Sequence, residues 1–190
     1  MKKPTWNHPD LGSFTFDQWA WVAIVDAPAF NAFAFAYDSE GGKLAVKYEL
    51  AFEAEGDKDI PSPAALELAA KVLTNQADLV PKVTNALWDD FNGRGPNSGM
   101  WWHNDLAQVS EEMKWWFPQP RPLTGPDDLL AAMQLSSIVV RKSVYEYDEP
   151  IVELGFSAPF EDEHGVGVLT DGRSVLGIGY SCDVTPFETG

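Results

Sequence analysis

One cysteine, Cys182, is all that the chain carries. No disulfide framework can close within the chain, which points to a reducing compartment. The residues around Cys182 supply no base to activate its thiol, so the residue reads as a small apolar side chain rather than a nucleophile. Long hydrophobic runs are also missing. The most apolar stretch, 19–37, is interrupted by Asp26, Pro28 and Asn31 and falls short of the roughly 20 continuous apolar residues that a membrane span needs. Lys2 and Lys3 are followed by Pro4, Trp6, Asn7 and His8 instead of the apolar core of a signal peptide. The expectation is a cytoplasmic protein without membrane attachment.

Positive charge is scarce. Thirteen basic residues stand against 29 acidic ones, for a formal net charge of −16, a balance that repels nucleic-acid backbones and anionic membranes. No Lys or Arg occurs from Ser143 to Gly172, whereas Glu146, Asp148, Glu149, Glu153, Glu161, Asp162, Glu163 and Asp171 all fall there. Such an excess serves solubility, and its concentration in this stretch also reads as an acidic face matched to a basic protein partner.

What the chain does have is aromatic mass. Eleven Phe, eight Trp and five Tyr in 190 residues argue for one packed domain of ordinary size. Ser13–Phe16 alternates, and Trp19, Trp21 and Ala23 share a face opposite Ala20, Val22 and Ile24. The segments 32–37 and 44–54 read as further strands around a Gly41-Gly42 turn. Ser62 is a natural N-cap, with Pro63 at the first helical position and Leu66, Ala69, Ala70 and Leu73 in an apolar stripe. A break near Asn75 and a second helix capped by Asp78 follow, with Val83, Leu87 and Trp88 facing inward. A helix over 105–114 and a short one over 127–133 complete the middle. Strands over 137–145, 151–157, 165–169 and 174–180 then form a meander, with Asp171-Gly172 as a hairpin turn. Strands, then helices, then strands predict an α+β class. The expected arrangement is antiparallel sheets from the N- and C-terminal strands, packed with a central helical segment, in a single domain over 1–190. Its parts would be N-terminal strands (1–60), helices (61–134) and a C-terminal meander (135–190).

No segment commits the chain to catalysis. There is no nucleophile elbow, no calcium-loop spacing, and no Lys or helix after Gly165-Val166-Gly167-Val168 to make a phosphate cradle. No catalytic residue, metal ligand or cofactor is therefore assigned, and Gly177 and Gly179 read as points of close backbone approach. The densest polar cluster is Glu161, Asp162, Glu163 and His164. A carboxylate can orient an imidazole, but adjacent residues of an extended chain point to opposite faces, so Glu163 and His164 should diverge. Trp101, Trp102, Trp115 and Trp116 form two consecutive pairs. Neighbouring helical positions lie about 100° apart, so these indoles cannot all face one core, and Trp is favoured at interface hot spots. The eight residues together form the candidate partner-binding set. The alternative reading is a small hydrolase or metal-dependent enzyme built on His164 and nearby carboxylates.

Two segments carry a resemblance. His8-Pro9-Asp10-Leu11-Gly12-Ser13-Phe14-Thr15, an aromatic strand, and then Pro61-Ser62-Pro63 before a helix resemble the start of a group of uncharacterised bacterial domains. Their second mark is an E-H-G-L-G-V segment near the C-terminus, matched by Glu163-His164-Gly165-Val166-Gly167-Val168. The resemblance implies no assigned catalytic residue. It implies a link, through related groups, to immunity proteins that neutralise polymorphic bacterial toxins.

Overall fold

The computed structural model describes residues 3–35, 47–54, 59–114, 123–144, 147–181 and 183–188. Among these, eight strands lie side by side in chain order. They are β1 (Thr5–His8), β2 (Gly12–Asp17), β3 (Ala20–Asp26), β4 (Lys47–Glu53), β5 (Gln134–Arg141), β6 (Ile151–Ala158), β7 (Glu161–Thr170) and β8 (Val175–Tyr180). Every neighbouring pair is antiparallel except β4 and β5, which run parallel and pair Leu50 with Ile138 and Phe52 with Val140. The N- and C-terminal strands therefore share one sheet instead of forming separate sheets. The parallel join explains the placement of the helices: parallel neighbours need a long crossover, and the helical segment is that crossover.

Among the described residues three α-helices occupy it: α1 (Pro63–Thr74), α2 (Gln76–Phe91) and α3 (Leu106–Met113). The Ser62 side chain accepts a hydrogen bond from the Ala65 amide, capping α1, and the Asp105 side chain caps α3 through Gln108. Asn75 is the C-cap of α1, and α2 begins immediately after it, so Asp78 sits in the first turn of α2 rather than capping it. A carboxylate there still favours the positive end of the helix dipole.

Residues 32–35 do not form the strand that their alternation suggests. Pro28, with its fixed φ, opens a 3₁₀ turn over Pro28–Ala32. Phe33 and Phe35 do point inward, but the Ala34 and Phe35 amides donate to the carbonyls of Leu130 and Met133. The alternation thus reports burial without a strand partner. The Gly41-Gly42 turn lies outside the described residues, and the short helix near 127–133 is a 3₁₀ turn over Pro126–Ala131.

Period-two alternation separates two clusters. Trp21, Ala23 and Val25 of β3, Tyr48, Leu50 and Phe52 of β4, and Val152, Leu154 and Phe156 of β6 join the helices in the main core. Ile151 and Leu169, of opposite parity to the core residues of β6 and β7, build a smaller cluster around Val184, and half-buried Leu176 joins it where the β7–β8 register shifts. The C-terminal segment lies against this second face, and the Phe187 amide donates to the Leu176 carbonyl. Glycine makes the approach possible, as the sequence reading expects. A Cβ on Gly177 would stand 2.2 Å from the Thr185 carbonyl oxygen, and one on Gly179 would stand 3.2 Å from Val184 Cα. Gly177→Ala should therefore push this segment off the sheet and cost about 1–3 kcal/mol, as overpacking does. Urea unfolding would show it, and an unchanged midpoint would contradict the contact.

At the β7–β8 turn, Asp171 accepts hydrogen bonds from the Arg173 and Ser174 amides, and Lys71 of α1 stands 3.6 Å away. Burial works against the charged form, but the two amides and Lys71 outweigh it and hold the carboxyl below the ordinary carboxylate range. A carboxyl depressed in the folded state stabilises the fold above that range and loses its contribution as pH falls through it. Asp171→Asn should therefore lower stability at pH 7 and make little difference at pH 3. The urea midpoints of the two proteins, measured at both pH values, test this.

Candidate functional site

The start of β7 gathers most of the residues that the sequence singles out. Glu161 is buried, whereas Asp162, Glu163 and His164 are exposed. Glu161 Oε1 lies 3.0 Å from His164 Nδ1 and accepts from the His164 amide at 3.2 Å, and its Oε2 accepts from Trp101 Nε1 at 2.8 Å. In regular extended chain, residues three apart face opposite ways. Here the register with β6 shifts between Phe156 and Ala158, and Gly165 has φ +71°. A bulge of this kind re-aims side chains. Gly165 is the residue type that this backbone requires, and a Cβ on it would stand 2.7 Å from the Phe156 carbonyl oxygen.

The His164 ring packs on Tyr180 at 4.7 Å, and Tyr180 packs on Trp102 at 5.6 Å. Burial, followed by the carboxylates of Glu161 and Glu163, pushes the Tyr180 phenol above its ordinary range. Burial disfavours the charged phenolate whatever its neighbours, and the two carboxylates add to it. Around these groups lies an open depression of about 240 Å³, lined by Ser136, Ser157, Ser181, Glu161, Asp162, Glu163 and His164 among others, without Lys or Arg. Its hydroxyls have partners. Ser136 and Ser157 bond to each other at 2.7 Å, and Ser181 donates to Glu153.

Among the tryptophans, Trp101 is half-buried and tied to Glu161, whereas Trp102 is fully enclosed. Trp102 therefore supports the site from within and is not available to a partner. Trp115, Trp116 and Cys182 lie outside the described residues. Among the described tryptophans the most exposed is Trp19, at 74 %. The alternation placed it on the Trp21 face, but it sits in the two-residue turn between β2 and β3, where strand parity no longer applies.

The described carboxylates of 143–172 do not make one face. Asp148 and Glu149 precede β6 and Asp162 and Glu163 follow it, about 26 Å apart along eight residues of strand. Glu153 is buried and ion-paired with Arg141, and Asp171 pairs with Lys71. The exposed acidic surface of this hairpin is thus split between its two ends.

A second carboxylate–imidazole pair has no warning in the sequence. Asp90 of α2, 1 % exposed, lies 2.6 Å from His103 Nδ1 and accepts from Ser98 Oγ at 2.6 Å. It holds the glycine-rich loop after α2 in place. Spacings of eight and thirteen residues match no local motif, because the loop between them has no period. Among the described residues no group of three or more His, Cys, Asp or Glu side chains is placed to hold a metal ion, and no helix is long and apolar enough to cross a membrane.

The fold and this site define a mixed α/β domain that presents an imidazole, held by a buried carboxylate, at the edge of an acidic depression. The chain belongs to the DUF6985 family, a domain of unknown function, whose model matches residues 10–185. No curated protein and no solved structure matches it.

Proposed function

We propose that this protein is a non-catalytic binding module for a basic protein partner, an immunity-type inhibitor acting in the cytoplasm of a bacterium. The carrying observation is the depression at the start of β7, where Asp162, Glu163 and His164 are exposed and no cation lines the wall. Such a surface steers a basic partner and sets specificity more than affinity. The residues beneath it are fixed in position, with Trp101 and His164 both bonded to Glu161, so little ordering entropy is spent on docking. The immobilised protein should retain a stoichiometric partner from host lysate at low salt and release it at high salt. The Asp162→Lys/Glu163→Lys variant should retain none. Equal retention by this variant, or no partner at low salt, would refute the reading.

The Glu161–His164 geometry favours one second reading, a small hydrolase with His164 as general base. The serine hydroxyls of the depression spend their hydrogen bonds elsewhere, which leaves water as the nucleophile. Under this reading His164→Ala abolishes an esterase or phosphodiesterase activity that Asp162→Lys/Glu163→Lys keeps.

A further inference from the structure

After β8 the chain turns back, and residues 183–188 lie across the second face of β7 and β8. The Asp183 amide closes the turn by donating to the Tyr180 carbonyl at 3.1 Å, and the Phe187 amide fixes the far end on the Leu176 carbonyl at 2.7 Å. Between these points Val184 is the buried side chain, 2 % exposed, in the cluster of Ile151 and Leu169. It seats where β7 and β8 carry no side chains. A Cβ on Gly167 would stand 2.9 Å from Val184 Cγ1, and one on Gly179 would stand 3.3 Å from Val184 Cβ. Asp183, Thr185 and Glu188 are exposed, and Pro186 has no amide to donate. A segment held by so few buried groups opens at far less cost than the whole domain unfolds.

The root of this segment is part of the wall of the β7 depression. Ser181 lines the depression, and its amide donates at 3.2 Å to the carbonyl of Gly165, the bulge residue next to His164. Tyr180, whose carbonyl receives the Asp183 amide, carries the ring on which His164 packs at 4.7 Å. The seating of Val184 and the placing of the imidazole are thus joined through two consecutive residues, Tyr180 and Ser181.

We propose that residues 183–188 are a strap that regulates the depression. Seated on Gly167 and Gly179, the strap holds Ser181 against Gly165 and keeps His164 in its pair with Glu161. Lifted, it frees Ser181 and the Gly165 carbonyl together and loosens the imidazole from its carboxylate. The inference rests on the binding-module reading for its consequence: the seated form is the one that presents a fixed surface to a basic partner. By linkage, a partner that binds the seated form also makes lifting rarer.

Hydrogen exchange on the ¹⁵N-labelled full chain tests the strap without a partner. The amides of Ser181, Asp183 and Phe187 should share one protection factor, about tenfold or more below that of the central amides of β6 and β7. Val184→Ala removes two methyl groups from the seat and should lower the shared factor about tenfold. The His164 amide and the Trp101 indole N–H, both donors to Glu161, should exchange faster by the same factor, which a strap of merely local role would not cause. Gly177→Ala crowds the strap from the sheet side. It should reproduce the pattern, and it carries the test alone if the Val184 variant does not fold. Strap amides as protected as the central strands would overturn the strap, because it would then lift only when the domain unfolds. Faster exchange at Phe187, with Ser181, His164 and Trp101 unchanged, would overturn its link to the depression. Either failure leaves the binding-module reading to its own salt-dependent test, and failure of that test leaves these exchange rates unaltered.

Discussion

Replacing Arg141 by methionine is expected to cost about 3–5 kcal/mol of folding stability, the usual result of stranding a buried charge. Arg141, at the end of β5, pairs with Glu153 of β6 and stands 3.8 Å from Glu53 of β4. Glu153 is 1 % exposed and also accepts from Ser181. A neutral methionine keeps most of the volume and removes the cation, so the buried carboxylate loses the charge of Arg141. The cost should therefore reside in Glu153, not in the lost arginine. Arg141→Met combined with Glu153→Leu should recover most of the stability, because paired removal of buried charges is often nearly neutral. Urea unfolding of the four proteins in the cycle measures the coupling. A single-variant loss under about 1 kcal/mol would mean that Glu153 is solvated or protonated in the fold.

The second large effect concerns Trp102. Its indole is fully enclosed, with Trp101, Phe160 and Tyr180 rings at 5.7, 5.9 and 5.6 Å. Trp102→Ala should cost about 3–5 kcal/mol, the range for aromatic truncation in a core that cannot collapse around the gap. Its Nε1 is buried and makes no hydrogen bond, which gives the prediction a second arm. Trp102→Phe loses some volume but removes an unsatisfied donor, so its cost should stay under about 1.5 kcal/mol. The alanine variant should also loosen Trp101 and Tyr180, which hold Glu161 and His164, and so weaken partner binding without touching an exposed residue. A phenylalanine variant as damaging as the alanine one would show that the indole N–H has a partner after all.

Strand and helix positions follow closely from local pattern where one face is buried. β2, β3 and the β5–β8 meander are legible as period-two alternation, and α1 is legible from Ser62, Pro63 and its apolar stripe. The stripe is legible only to within a residue or so. Ala65, Ala69 and Val72 are the buried positions, and Leu66 and Leu73 flank them. Period alone gives the helix but not its rotation about its axis, which packing decides. Segment 32–35 shows the converse failure, an alternation satisfied by burial against a 3₁₀ turn with no neighbouring strand.

The candidate site divides in the same way. The cluster Glu161–His164 stands out as a charged run, and Gly165 as a residue needed for its backbone. Which carboxylate meets the imidazole depends on a bulge, and the bulge depends on the register with β6. Trp101 comes to Glu161 across 60 residues of chain, and Asp90 comes to His103 around a loop without period.

By itself, then, the sequence determined the mixed class of the fold, its succession of strands, helices and strands, the excess of negative charge and the places where only glycine fits. These follow from properties of single residues and their near neighbours. The tertiary structure alone decided that the eight strands form one sheet with a parallel join, that the acidic stretch is divided between two ends of a hairpin, and which carboxylates hold His103 and His164. Each of these requires residues distant in the chain to meet. Such meetings are set by how whole faces pack, and no local period records them.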